Sequence, residues 1–326
     1  MRKHFAALSA FCSVLMVGCQ QSEDGLEVKE EYPISIEASI GGVGASRYTG
    51  NEPNSAAFGN GDLIGLAYKV GTDRTNFVKW ELEGGKWKPI GTSMTWKNLG
   101  EDHTFYAFYP YVDGATLDLV PMPNLANQNG TMLSVATSDF LITEKTQKYT
   151  TGGGKVSFTG VDDAFKHVSS LVVLTLKNAG DLVSATIKSV SLKGTNIASA
   201  MNYTFGATTP VSLDNTTSSI NEISVALAEQ GPMTADKKIY LVVNSGTVDL
   251  SAVTLEINYT AANEDVCKAS LTGLNQNEND WFVSGCLYNY GITVTDRRVL
   301  VVSGGEICDW ANGITMDEIE INGEKQ

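Results

Sequence analysis

No stretch of this chain holds an apolar helical period for long. Short segments with the two-residue alternation of a strand recur instead. Residues 34–40 are the clearest case: Ile34, Ile36, Ala38 and Ile40 alternate with Ser35, Glu37 and Ser39. Further strand-like segments fall at 63–68, 77–82, 87–90, 105–109, 155–158, 171–177, 186–192, 223–227, 238–243, 253–259, 291–295 and 299–302. Gly, Asn, Asp and Ser, the residues of tight turns, separate them. Gly84-Gly85 marks a hairpin, because glycine accepts the positive φ such turns require. Only 162–167 reads as a short helix, and 111–152 reads as loop-rich. This patterning predicts an all-β chain of antiparallel β-sandwich domains in tandem. The 326 residues accommodate about two domains at ~150 residues each, and 42% apolar content can fill two cores. The run Gly152-Gly153-Gly154 marks the expected boundary, giving domains at 32–154 and 155–326.

The first 18 residues read as an address. Arg2 and Lys3 precede an apolar run from Phe5 to Val17, too short to span a bilayer at roughly 20 residues. The run ends at Met16-Val17-Gly18-Cys19, which resembles a bacterial lipobox with Met16 where Leu is commonest. Cys19 would then become a lipidated N-terminus, anchored in the outer membrane at ~0.8 kcal/mol per buried CH2. The alternative is an ordinary secretory signal cut nearby. Residues 19–31 form a linker. Loss of 1–18 removes Arg2 and Lys3, so 308 residues remain and the net charge moves from −14 to −16.

That charge argues against a grip on nucleic acid, which needs clustered Lys and Arg. Of three histidines, His4 leaves with the signal. His103 follows Glu101-Asp102 and reads as a surface imidazole; His167, beside Phe165 and Val168, reads as packed and hydrogen-bonded. No G-x-S-x-G, H-E-x-x-H or phosphate loop is present, and Gly59-Asn60-Gly61-Asp62 reads as a turn before a strand. Trp80, Trp87 and Trp96 read as core and hairpin aromatics, with a carbohydrate platform as the alternative. No catalytic residue, metal site or cofactor is expected, and the chain does not read as an enzyme. Cys267, Cys286 and Cys308 hold either one disulfide or three buried thiols.

Arginine is scarce: Arg2, Arg47, Arg74, Arg297 and Arg298. Arg47 follows the first strand in a stretch of small residues (Gly41, Gly42, Gly44, Ser46), a local sequence open to proteolysis.

In order and spacing, these features resemble the fimbrillin family of Bacteroidota, the type V pilins and their Mfa-like relatives. The resemblance rests on Cys19, on 34–40 with Arg47 behind it, and on segments 58–67, 105–111, 165–171 and 288–294. It implies two sandwiches of transthyretin-like topology, exported as a lipoprotein. Ser22-Glu23-Asp24 is similar to a surface-export signal of such lipoproteins, or is a solvated linker. The resemblance further implies that an Arg-specific protease cuts after Arg47 and frees 32–47. A C-terminal strand of another subunit would then fill the groove left by Ile34, Ile36, Ala38 and Ile40. Main-chain hydrogen bonds would give such strand addition its affinity. The donor would come from 299–302, with Val299 and Val301, or from 314–321, with Ile319 and Ile321. Partners would be other pilin subunits in a surface fimbrium. The alternative is a tip or accessory adhesin, or a non-polymerising surface lipoprotein, that binds host protein or glycan.

Overall fold

The computed structural model describes residues 32–41, 57–151, 153–214, 220–227, 231–246, 248–274 and 281–309. In chain order the first elements are β1 (Ser35–Ala38), β2 (Leu63–Val70), β3 (Asp73–Arg74), β4 (Val78–Glu83), β5 (Lys86–Pro89), β6 (His103–Tyr109) and β7 (Val120–Pro121). Helix α1 (Met132–Ser138), β8 (Leu141–Gln147), β9 (Lys155–Phe158), α2 (Gly160–Asp163) and β10 (Lys166–His167) follow. Next come β11 (Ser170–Gly180), β12 (Thr186–Ala198), β13 (Met201–Tyr203), β14 (Val211–Leu213) and β15 (Ile220–Ala226). The last are β16 (Lys237–Val243), β17 (Thr254–Thr260), β18 (Val266–Thr272), β19 (Cys286–Val294) and β20 (Leu300–Asp309).

The first sheet runs β10-β8-β6-β2-β4-β5, with β3 alongside β2. Strand β2 shows how it divides two cores. Ile64, Leu66, Tyr68 and Val70 point into a cluster with Ile36, Val156, Phe158 and Phe165. Ala67 points into a second cluster with Phe108, Phe140 and Phe205. Strands β7, β13 and β14 form the small sheet on that side. As expected of Gly84-Gly85, both glycines turn at positive φ, 58° and 75°, between β4 and β5.

The third and largest core lies between sheets β16-β11-β19-β20 and β15-β12-β17-β18. Residues Leu171 to Leu174 of β11 are all buried, a pattern of strands covered on both faces. Leu125, Met132 and Val135 reach into this same cluster from around α1. Thr131 caps α1, its hydroxyl accepting the Ser134 N–H at 3.3 Å. Among the described strands, β1 with β9 and β11 with β19 pair in parallel, and Ile40 bridges Phe165 in the same sense.

Several sequence expectations need correction. The loop-rich 111–152 contains β7, α1 and β8. The expected helix at 162–167 is a short turn of helix, α2, which starts two residues earlier and gives way to β10. Beyond Gly154, Val156, Phe158 and Phe165 pack with Ile64 and Trp80. Gly154 leads into β9, which lies beside β1. His103 is fully buried. Strand β6 starts two residues before its aromatic run, which turns the imidazole inward against Trp96, at 4.8 Å between rings. Its Nδ1 lies 3.1 Å from the Glu101 carbonyl. Cys267 is a free, buried thiol and Cys286 is half-buried; the side chain of Cys308 lies outside the described residues.

Candidate functional site

The candidate site is the seat of β1. Ser35, Ile36, Glu37 and Ala38 pair in parallel register with Lys155, Val156, Ser157 and Phe158. Strand alternation turns Ile34, Ile36 and Ile40 into the first core, where each is more than nine-tenths buried, and Ala38 packs beside them. Phe158, Phe165, Trp87 and Trp96 are among the side chains of that core. Phe58 closes one end, edge-on to Trp87 and to Phe165 at ring distances of 5.2 and 5.1 Å.

Short sets of hydrogen bonds hold both ends of the strand. At its start, Ile34 N–H donates to the Met94 carbonyl at 2.9 Å and Trp96 N–H donates to the Tyr32 carbonyl at 2.8 Å. The Gly154 carbonyl accepts from the Trp96 indole at 2.9 Å and from Ser35 N–H at 3.4 Å. Gly154 sits at φ +52°, and a Cβ there would lie 2.9 Å from the Pro33 carbonyl oxygen. Only glycine fits that position without strain. The Tyr68 hydroxyl donates to the Thr95 carbonyl at 2.8 Å and braces this segment. Burial, with the nearby Asp73 charge, raises the Tyr68 pKa. At its far end, Gly41 N–H donates to the Phe165 carbonyl at 2.7 Å and Phe165 N–H to the Ser39 carbonyl at 2.9 Å.

Between these ends, β1 is paired along one edge among the described residues. Ser35 and Ser39 donate toward β9, so Glu37 faces that way too, and the main-chain groups of Ile36, Ala38 and Ile40 turn to the opposite side. A cleft of about 580 Å³ opens there, between β1 and the β4–β5 hairpin. Strand β5 is the last strand of its own sheet.

The other sequence candidates are placed as follows. Val299 and Val301 are about half exposed while Leu300 is buried, and β20 pairs with β19 from Leu300 to Asp309. That strand already belongs to the chain's own sheet. Cys19, Arg47, Ile319 and Ile321 lie outside the described residues. Trp80, Trp87 and Trp96 are all core residues. His167 is packed as expected, its Nδ1 2.8 Å from the Asp139 carboxylate. Among the described residues no cluster of His, Cys, Asp and Glu could hold a metal, and no helix is long and apolar enough to cross a membrane. Sequence reasoning missed Gly154, Met94 and Phe58 as parts of the seat. The three consecutive glycines were the available signal.

These antiparallel sheets and their cores define an all-β sandwich protein. The sequence matches the fimbrillin-like family over residues 46–310, and the chain belongs to that family. No curated protein matches it. Among solved structures, a candidate cell adhesion protein of Bacteroides uniformis is similar at TM-score 0.61 and 18% identity, over 85% of this chain and 99% of the other. A candidate cell adhesion protein of Bacteroides fragilis is similar at TM-score 0.50 and 13% identity, over 85% and 98%. The fimbrial anchor protein Mfa2 of Porphyromonas gingivalis matches at TM-score 0.40 and 9% identity, over 86% and 98%.

Proposed function

We propose that this chain is a surface-exposed fimbrial subunit that works with other fimbrial subunits. In this reading it is exported as a lipoprotein on Cys19, cut after Arg47 by an Arg-specific protease, and polymerised by strand exchange. Family membership supports the fimbrial role and the surface location. The observation that carries the mechanism is the seat of β1, a strand of four residues held along one edge but filling an aromatic core.

Arg47 lies six residues beyond Gly41, the last residue bonded to Phe165. A cut there severs β1 from the rest of the chain without touching β2 or β9. Three buried isoleucines at ~1.5–3 kcal/mol each give roughly 5–9 kcal/mol of gross burial. An emptied seat would leave Val156, Phe158 and Phe165 facing water, so its refilling is strongly driven. Strand β20 is engaged with β19, which favours 314–321 as the donor segment. The second reading, an adhesin that does not polymerise, draws on the names of the two Bacteroides relatives.

Replacing Arg47 with Ala tests the first reading in cells. The expected result is loss of surface polymer with subunit retained on the outer membrane. Unchanged polymer would sink the assignment of Arg47. Cys19→Ser should abolish labelling by a fatty-acid analogue; undiminished labelling would move the anchor elsewhere.

A further inference from the structure

We infer that the cleft between β1 and β5 is the first docking site for residues 314–322 of a second copy, which add to the open edge of β1 before β1 leaves. This rests on the strand-exchange reading above and specifies where the incoming segment first binds.

Three observations converge on the cleft. The first is its open edge. At Tyr32–Ile34 this edge is already paired, with Met94 and Trp96. From Ile36 onward the main-chain groups on that side have no backbone partner among the described residues. A strand laid here continues a pairing that has begun and stopped. The second is the lining. Ile36, Ile40, Phe58, Leu82 and Trp87 supply apolar surface to about 580 Å³ of open space. That surface accepts the inward-facing side chains of an alternating strand.

The third is charge. The chain carries 37 acidic and 23 basic residues, yet the cleft is rimmed by Lys86 and Lys155. Its one carboxylate, Glu37, is already paired with Lys155. Lys88 stands next along β5, paired with Glu83 at 2.7 Å. Residues 314–322 complement this rim. Ile319 and Ile321 fall on one face of a strand, Glu318 and Glu320 on the other. With the isoleucines inward, both glutamates lie on the face open to Lys86. The acidic composition of the tail thus serves recognition. An incoming strand paired before β1 departs keeps the first core covered throughout the exchange.

The test uses a labelled synthetic peptide of residues 314–322 and the full-length chain. The chain carries Arg47→Ala to prevent cutting, and Ile319→Lys with Ile321→Lys to disable its own tail. Fluorescence anisotropy should show saturable binding. Lys86→Glu should weaken it roughly ten-fold, as should raising the salt from about 50 to about 500 mM. A peptide with Lys at both isoleucine positions should not bind. Lys86 is exposed, so its variant should fold; Lys86→Ala, with a smaller expected loss, guards against a local effect of the reversed charge. Binding that ignores both Lys86 variants would overturn the docking site. Binding only to a chain already cut after Arg47 would overturn the order of events while leaving strand exchange standing. No binding to either form would remove both.

Discussion

The first and third cores are both apolar, the first richer in aromatic rings, but they are closed in different ways. In the third, β11 pairs along both edges, with β16 and β19, and runs for 11 residues. In the first, one face is closed by β1, four residues long and, among the described residues, paired with β9 alone. Long strands bonded on both sides commit a core permanently. A short strand bonded on one side is held by few main-chain bonds. The side chains do the same work in each; the difference lies in how many main-chain bonds must break to free a strand.

The largest expected contrast comes from placing a charge in each core. Leu174→Asp, at a fully buried position of β11, should abolish the cooperative unfolding of the third core, a loss above about 4 kcal/mol. Ile36→Asp should loosen β1 and leave that transition in place. Urea unfolding followed by near-UV circular dichroism reads both, and equal damage would erase the distinction. Phe165→Ala removes a ring shared by β1, Phe58 and Phe158. It should cost about 3–5 kcal/mol, confined to the first core.

Alkali should separate the cores in the other direction. Burial pushes the Tyr288 hydroxyl up to about 12, and raises Tyr290 and Tyr259 further, the latter also through its bond to Asp181. All three lie in the third core. Because the folded state holds these protons more tightly than the unfolded chain, their contribution is complete below pH ~10. It is lost as pH rises through 12. The third core should therefore lose stability between those values, with tyrosinate absorbance rising as it unfolds. Early, non-cooperative ionisation of all three would contradict their burial.

Gly154→Ala gives the smallest effect, about 1–2 kcal/mol from a strained positive φ. Its signature is local. Amide exchange at Ser35 and Ser39 should accelerate while β19 is unchanged; uniform acceleration would mean that the seat of β1 is not an independent unit.

Much of this fold was legible in the sequence because apolar alternation reports burial of one face directly. Strand β2 and the β4–β5 hairpin follow from Ile64, Leu66 and Gly84-Gly85. Strand β8 escaped notice because after Leu141 and Ile142 it continues through Thr143, Glu144 and Lys145, whose polarity hides their pairing with β6. His103 was misplaced because its burial depends on Trp96 and Tyr68, contacts that local sequence does not encode. The alternating isoleucines of β1 were readable, but their seat was not. Met94, Gly154 and Phe165 come from three separate segments and meet only through the topology. The open edge of β1 was equally invisible, since pairing is a property of neighbours.

The central claim is that β1 is the replaceable strand of a fimbrial subunit. The most direct measurement is native treatment of the lipid-free protein with an Arg-specific protease, followed by N-terminal mass analysis and unboiled SDS gels. The account predicts a new N-terminus at Tyr48, loss of the fragment bearing Ile34–Ile40, and a ladder of SDS-resistant oligomers. Clean cleavage after Arg47 that leaves a stable monomer with β1 still bound would contradict it.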